Sequence, residues 1–427
     1  MKIRIDTKDL IQAGILDQDT ANQIEQYYHQ RAPIGNNRLF TAFGILGGLL
    51  VGAGGILLIA HNWESLGRGV QTSFAFIPLL IAQLLSLYAI VRKPDLMGWR
   101  EGAATALFCA VGSSIALVGQ IYNLPGSMES YLLTWMLLCI PMVYVMRSSM
   151  LSLLCIGGAV YYGCIVGYEF DREQMTWGFW GMMAALLPYY LWQIRDRFNS
   201  NFTVFHHWFW ALAVMIMIAT IPPISGWTVA VYLFAVGIFH LIGHLPIFEQ
   251  TLIRSNAYRV VGSIGTWILL FIGCASEFWG PNHGWTHRWD AENIPVWLTI
   301  GALSLLWAGI LYVIYRKQGV REIPILAATI IPSFLAYLFL LEVPFMHWIM
   351  SAMVLAVGIA YTLKGARENH LLTMNYGLVS IAILVGIRFF DDSLSFILKG
   401  LLFLGVGIGF FVANYRMIKT PKHHEAK

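Results

Sequence analysis

Polar side chains cluster at the same end of three apolar segments, each long enough to cross a membrane. They combine a guanidinium, carboxylates, amides and an imidazole, a set that can bind an anionic group and hydrogen-bond a neutral neighbour. If the three segments are neighbours, we expect one substrate pocket on the extracytoplasmic side. In the alternative interpretation, each group only caps its own helix or rests at the membrane surface. The predicted pocket residues are His61, Asn62, Glu64, Gln120, Tyr122, Asn123, Arg388 and Asp391.

Four histidines form a second group, at the opposite predicted membrane face. His206 and His207 open one apolar segment, and His240 and His244, four residues apart on one helical face, close the next. Imidazoles at such a spacing can hold a divalent metal ion. However, no carboxylate or cysteine completes the set at a suitable spacing. These histidines are therefore weak metal candidates. We predict no metal and no cofactor, and a proton relay stays open as an alternative.

A polar loop at residues 279–294 is a third place where chemistry could occur. Trp285 and Trp289 stand there beside His287 and Arg288, a mixture that suits contact with a sugar or a lipid headgroup. Tryptophans also simply anchor loops at membrane surfaces. The chain has no nucleophile elbow, P-loop, HExxH or dinucleotide fingerprint in a fitting context. Enzyme activity is therefore not favoured, and a membrane-embedded transferase using this loop is the last of three functional interpretations.

Composition decides the class of protein. Hydrophobic residues make up 58% of the 427 residues and charged residues 12%, whereas a soluble domain carries roughly 25% charged residues. The mean hydropathy is +0.64, so the solvent of this chain must be lipid. A net charge of +4 without a basic stripe excludes a nucleic-acid partner. All 5 cysteines lie in apolar runs, so no disulfide is expected.

The apolar runs predict an all-α, polytopic membrane bundle, because a transmembrane helix needs about 20 mostly apolar residues. No Asp, Glu, Lys or Arg falls near the middle of any predicted span. Ion-coupled carriers usually place a charged side chain there, so ion-coupled transport is disfavoured. The fourteen predicted spans are residues 40–60, 70–91, 103–122, 131–146, 150–168, 177–194, 204–221, 227–245, 259–278, 295–315, 323–341, 345–363, 371–388 and 396–415.

The positive charges predict the orientation of these spans. With the N-terminus in the cytoplasm, fourteen crossings place 22 of the 27 Lys and Arg residues on the cytoplasmic side. Such an asymmetry is the positive-inside rule, and dropping one span would destroy it. We therefore predict about fourteen transmembrane helices with both termini in the cytoplasm.

The chain divides into four predicted regions. Residues 1–38 are polar and are predicted to form a cytoplasmic amphipathic helical prefix. This prefix either rests on the membrane surface or docks a cytoplasmic protein. The first apolar run, Phe40–Ala60, exceeds the roughly 7–15 residues of a secretory signal, so we expect an uncleaved anchor. A four-span unit at 39–147, a ten-span remainder at 148–416 and a cytoplasmic tail at 417–427 complete the chain.

Two motifs connect the chain to a known family. The Gly-rich first span ends in HNWESLG, and the third span ends in LVGQIYNLPG. Both resemble the bacterial domain of unknown function 2157 family of predicted membrane proteins, over roughly residues 8–150, and the C-terminal spans are also similar. The resemblance implies a multi-pass protein of the bacterial inner (cytoplasmic) membrane and implies no established activity.

These observations favour a permease or flippase-like handler of a small or amphiphilic solute, uncoupled or weakly coupled. The expected partners are the lipid bilayer, a small-molecule or lipid ligand and, through residues 1–38, a cytoplasmic protein. The alternative is a non-catalytic scaffold or regulator that works through the same prefix. A water-accessible cavity that reaches the middle of the bilayer would favour the first interpretation, and a bundle solid throughout would favour the second.

Overall fold

The computed structural model describes Asp17, Asp19, Thr20 and Gln23 and residues 63–168, 176–221, 227–249, 251–279, 294–339, 345–390 and 396–419. Within these ranges the protein is all-helical and contains no strand. The chain divides into two compact units, residues 1–73 and 74–427, and nearly all of the helices belong to the second. The polar prefix and the first predicted span lie almost entirely outside the described residues.

The helices follow one another with short connections. A 3-10 turn at Ile218–Thr220 extends α6, and another at Ile325–Thr329 precedes α10. The helices are α1 (Arg68–Arg92), α2 (Met97–Ile121), α3 (Met128–Met146), α4 (Ser149–Gly167), α5 (Trp177–Arg197), α6 (Asn201–Met217), α7 (Thr228–Ile242), α8 (Ala257–Cys274), α9 (Ile294–Gln318), α10 (Ile330–Phe339), α11 (Met346–Arg367), α12 (Leu371–Phe389) and α13 (Phe396–Lys419).

Every predicted span except residues 40–60, which are not described, coincides with one of these helices. By length and composition, 9 helices of the described part could cross a membrane. The helices α5, α7, α10 and α13 are not among them: α7 and α10 are short, α5 contains Trp, Tyr and Gln residues that lower its hydropathy, and within α13 only the shorter stretch Lys399–Gly409 is counted as an apolar helix. The protein is therefore a membrane protein with several apolar helices.

Three apolar cores hold the second unit together. The first joins α1 to α6, the second joins α5 to α10, and the third joins α8 with α10, α11 and α12. Helices α4 and α6 are neighbours and run in the same direction, because Ser152, near the start of α4, bonds His206, near the start of α6. Their N-termini therefore lie at the same face of the bundle.

Glycines bring some helix backbones into direct contact. A Cβ on Gly262 of α8 would collide with the backbone of His240 in α7, and one on Gly377 of α12 would collide with the backbone of Gly358 in α11. In lipid, close packing of this kind replaces the hydrophobic effect as the force between helices. The hairpins α7–α8 and α11–α12 are thus the tightest pairs in the described bundle.

Candidate functional site

An apolar groove of about 610 Å³ is cut into the side of the bundle between α2, α3, α4 and α6. Tyr161 and Trp135 alone among the lining residues carry a side-chain N–H or O–H group, and the indole N–H of Trp135 is already bonded to the Phe108 carbonyl. Phe205 and Tyr161 are 54% and 53% exposed, so the groove opens on the outer surface of the bundle. Its lining residues are Phe108, Leu132, Trp135, Met150, Leu153, Leu154, Gly157, Gly158, Tyr161, Phe202, Phe205 and Phe209.

The groove runs along α4, whose residues at helical spacing form its floor from Met150 to Tyr161. At a rise of 1.5 Å per residue this stretch is about 16 Å long, roughly half of a hydrocarbon core about 30 Å thick. Met150 and Phe202 lie in the first turns of α4 and α6. One end of the groove therefore reaches the membrane face at which both helices begin.

Trp135 forms a wall of the groove, and a hydrogen bond and close packing fix the orientation of its ring. Its indole N–H donates to the carbonyl of Phe108 at 2.9 Å, and its ring lies directly on Gly112, where any Cβ would collide with it. Tyr131, one turn earlier, donates to the carbonyl of Gly112 at 3.2 Å. These side-chain bonds from α3 to the backbone of α2 hold the wall in place, so the groove is a built feature.

Two adjacent glycines of α4 have different roles in the floor. A Cβ on Gly158 would collide with the side chain of Met136, so this glycine permits close packing between α3 and α4. A Cβ on Gly157 would meet no atom within 4 Å. Gly157 therefore faces the open space of the groove, and a side chain there would occupy the groove without disturbing the bundle.

A buried carboxylate lies beside the surface end of the groove. Glu101 of α2 is 9% exposed and accepts hydrogen bonds from the backbone N–H groups of Ser149 and Met150, at 3.1 and 2.8 Å, and from the Ser148 hydroxyl. Its carboxylate also lies 4.0 Å from the guanidinium of Arg100. Because helix N-termini carry free N–H groups and a partial positive charge, Glu101 caps α4 from a different helix.

The polar network continues from α4 into α5 and α6. The Ser149 hydroxyl bonds the Tyr189 hydroxyl at 3.1 Å and accepts from the Gln193 amide at 2.8 Å. Thr203 then donates to the carbonyl of Arg197 at 2.7 Å. These bonds join the first turns of α4 and α6 to the last turns of α5, so the end of the groove that reaches the membrane face is anchored by buried hydrogen bonds.

The predicted histidines separate into distinct clusters. His206 donates from Nδ1 to the Phe202 carbonyl at 2.8 Å and accepts from Ser152 at Nε2, 3.0 Å away, so both ring nitrogens are occupied. His207 pairs with Tyr190 at 2.5 Å, and Tyr190 bonds Tyr258 at 2.6 Å.

On the next hairpin, His240 pairs with Ser263 at 3.0 Å, and His244 donates to the His240 carbonyl at 2.7 Å. His206, His207 and His240 are at most 3% exposed, so they lie between helices, near the start of α6 and the end of α7. Among the residues that the structure describes, no three His, Cys, Asp or Glu side chains come together to hold a metal ion.

The predicted outer pocket is described only in part. His61, Asn62, Asp391 and the side chain of Glu64 lie outside the described residues. Gln120 is exposed in the last turn of α2, Tyr122 ends that helix, and Asn123 follows with a positive φ of 49°, a conformation that asparagine tolerates well. Convergence of these groups with Arg388 stays a prediction.

Arg388 is buried near the end of α12, at 4% exposure. It donates from Nε to the Ser351 hydroxyl at 3.1 Å and from Nη2 to the His347 carbonyl at 2.7 Å. Its guanidinium also lies 4.4 Å from the ring centroid of Trp348. These contacts connect α12 to the first turns of α11.

The groove and Glu101 were not singled out from the sequence. The third span was predicted to begin at residue 103, whereas α2 begins at Met97 and already contains Glu101. The pair Ser148–Ser149 at the start of a span was a usable signal for Glu101, because the first N–H groups of a helix have no acceptor within that helix. Nothing in the pattern indicated that this acceptor would come from α2.

Comparison with known families covers the N-terminal part of the chain. The family model "Predicted membrane protein (DUF2157)" matches residues 8–152. The resemblance drawn from the sequence is thereby confirmed. The DUF2157 match includes Glu101 and Trp135 and ends in the first turn of α4, before α6 supplies its wall of the groove. No curated protein and no solved structure matches the chain.

Proposed function

We propose that this protein is a permease or flippase-like handler of an amphiphilic solute, uncoupled or weakly coupled, in the bacterial inner membrane. In this proposal the chain crosses the membrane fourteen times with both termini in the cytoplasm. The asymmetric distribution of Lys and Arg supports that orientation, as does the agreement between the predicted spans and the described helices.

The lateral groove carries the proposal. In a bilayer an apolar cleft that opens sideways is filled by an acyl chain, because an empty cleft loses the dispersion contacts of every atom that lines it. The volume of about 610 Å³ lies within the range of small-molecule sites. The bond to the Phe108 carbonyl fixes Trp135 in the wall, and Gly157 leaves the floor open, so the groove is ready for an occupant.

The chemistry of the lining supports an amphiphile over a small polar solute. Apart from the Tyr161 hydroxyl, no lining side chain can replace the hydrogen bonds that a polar solute makes with water. Transfer of an unpaired polar group into such a site is costly. An apolar tail loses nothing there, and its polar end would remain at the membrane face next to Met150 and Phe202.

The variant Gly157→Leu tests the proposal. The leucine side chain extends into the open groove and competes with a lipid tail. In proteoliposomes with a photoactivatable acyl-chain lipid, we expect crosslinks to Phe205 and Phe209 in the parent and several-fold fewer in the variant. Passage of a fluorescent lipid between leaflets, followed by bleaching of the outer leaflet, should slow in parallel.

Gly309→Leu is the matched control. Gly309 of α9 is also exposed, and its Cβ also meets no atom within 4 Å, but it lies outside the groove. This variant should crosslink and transport like the parent. Equal crosslinking in both variants would overturn the groove as a lipid site. Loss of crosslinks without any effect on lipid movement would favour the scaffold or regulator that acts through residues 1–38.

A further inference from the structure

The surface end of the groove carries unpaired positive charge. Arg147 is exposed and stands in the junction between α3 and α4, three residues before Met150 of the groove. Arg197 is the last residue of α5, its carbonyl accepts from Thr203, which follows Phe202 of the groove, and its guanidinium lies 5.5 Å from the ring centroid of Trp192. Two exposed arginines therefore stand at the ends of α3 and α5, next to the helix starts at which the groove ends.

These two cations are not neutralised by the neighbouring carboxylate. Within the described ranges the ion pairs are Arg100–Glu101 and Lys364–Glu368, and neither includes Arg147 or Arg197. The carboxylate oxygens of Glu101 accept hydrogen bonds from Ser148, Ser149 and Met150, so these N–H groups at the start of α4 are occupied as well. An anionic ligand at this end would therefore meet the arginine side chains and not the helix terminus.

The backbone of Arg147 is unusual for an arginine. It ends α3 in the left-handed conformation, with φ 48° and ψ 40°. Glycine or asparagine usually occupies such a position, because a larger side chain crowds the backbone. The arginine is thus not explained by its backbone, and a guanidinium is the side-chain group that pairs best with a phosphate.

We infer that the groove takes an anionic phospholipid, with one acyl chain along α4 and its phosphate between Arg147 and Arg197. This inference rests on the proposed function and adds the headgroup class to it. The apolar length of about 16 Å accommodates part of an acyl chain, and the charge at the end complements the phosphate and an uncharged glycerol headgroup. A zwitterionic headgroup would bring its own cation against the two arginines.

Lipid retention measures this preference directly. The full-length protein is reconstituted in nanodiscs with equal amounts of phosphatidylglycerol and phosphatidylcholine, extracted in mild detergent, and its retained lipid is quantified by mass spectrometry. We expect phosphatidylglycerol to be enriched several-fold over the bulk mixture. Arg147→Gly should lower the enrichment towards the bulk ratio, and Arg147→Lys should keep most of it. High salt should weaken the enrichment in the parent.

The substitution Arg147→Gly separates an effect on lipid binding from an effect on folding. Glycine adopts positive φ without strain, so Arg147→Gly should leave the thermal stability unchanged or raise it. Arg316→Gln removes another exposed arginine, in the last turn of α9, which does not line the groove, and should leave the enrichment unchanged. Unchanged enrichment in Arg147→Gly combined with Arg197→Gln would overturn the inference.

Failure of the inference and failure of the proposed function give different results. If the parent retains lipid that Gly157→Leu loses, but at the bulk ratio, the groove binds lipid without selecting the headgroup, and only the inference fails. If Gly157→Leu retains as much lipid as the parent, the groove is not a lipid site and both fail.

Discussion

At the scale of single residues, several buried polar groups of the described part bond to partners on other helices. Glu101 is the clearest case, because one carboxylate accepts from two backbone N–H groups and one hydroxyl of α4. Removing an acceptor of this kind leaves several donors without partners, and each unsatisfied buried donor costs about 1–3 kcal/mol. Stability should therefore respond strongly to this residue.

The first prediction concerns Glu101. Glu101→Ala should lower the free energy of unfolding by about 3 kcal/mol, because the N-terminus of α4 loses its cap. Glu101→Gln retains one carbonyl oxygen and should cost about half as much. Thermal unfolding in detergent measures both. The exposed Glu322→Gln is the control, and equal melting temperatures for all three variants would contradict the role of Glu101 as a cap.

The second prediction concerns Arg388. Arg388→Ala should reduce the amount of folded protein in the membrane, since it deletes buried bonds to Ser351 and the His347 carbonyl and the contact with Trp348. A loss of about 3 kcal/mol is expected, whereas the exposed Gln120→Ala should cost less than about 0.5 kcal/mol. Both are measured by membrane abundance and thermal unfolding.

A stable Arg388→Ala variant would favour a binding role for Arg388 over a role in folding. If its abundance equalled that of the parent and a cellular phenotype were lost in both Arg388→Ala and Gln120→Ala, the predicted extracytoplasmic pocket would gain support. Arg388→Lys separates the two roles further. A lysine keeps the charge but cannot reproduce the planar, multiple donation of the guanidinium.

At the scale of helices, backbone contact at glycines sets how closely pairs pack. In α7–α8 the Cα of Gly262 faces the backbone of His240, and backbone atoms cannot move aside as a flexible side chain can. Substitution there must separate the two helices. A glycine that faces lipid is different, because a side chain added there only displaces lipid acyl chains.

The third prediction compares one glycine in contact with a neighbouring backbone and one that meets no neighbouring atom. Gly262→Leu should destabilise the protein by more than about 3 kcal/mol, because it forces α7 and α8 apart and disturbs His240 and Ser263. Gly301→Leu on α9, where a Cβ meets no atom within 4 Å, should change stability by less than about 0.5 kcal/mol. Urea or thermal unfolding of the two variants checks the difference, and similar losses in both would contradict it.

At the scale of the whole molecule, orientation in the membrane is the main expectation. The fourth prediction is that reporter fusions placed after Lys93, Arg147 and Lys317 report a cytoplasmic location. Lys93 and Arg147 follow α1 and α3, and Lys317 lies in the last turn of α9. In the fourteen-span topology each of these helices returns the chain to the cytoplasmic side. An external signal at any of the three would break the fourteen-span topology.

The sequence by itself determined the membrane class, the helical segments and the resemblance of residues 8–152 to the DUF2157 family. Apolar runs and charge asymmetry are local or additive properties, so they can be read without knowing which helices touch. Helix ends were less exact: α2 begins at Met97, before the predicted start at 103, because Trp99, Arg100 and Glu101 interrupt the apolar run although they continue the helix.

The tertiary structure alone decided which side chains meet. Glu101 and its partner Ser148 lie 47 residues apart, and the groove draws its walls from four helices. The histidines, grouped by sequence as one cluster, separated because helical rotation points His206 at Ser152 and His207 at Tyr190. Such contacts depend on the relative rotation and spacing of helices, which the packing of glycines and large side chains sets and no local pattern encodes.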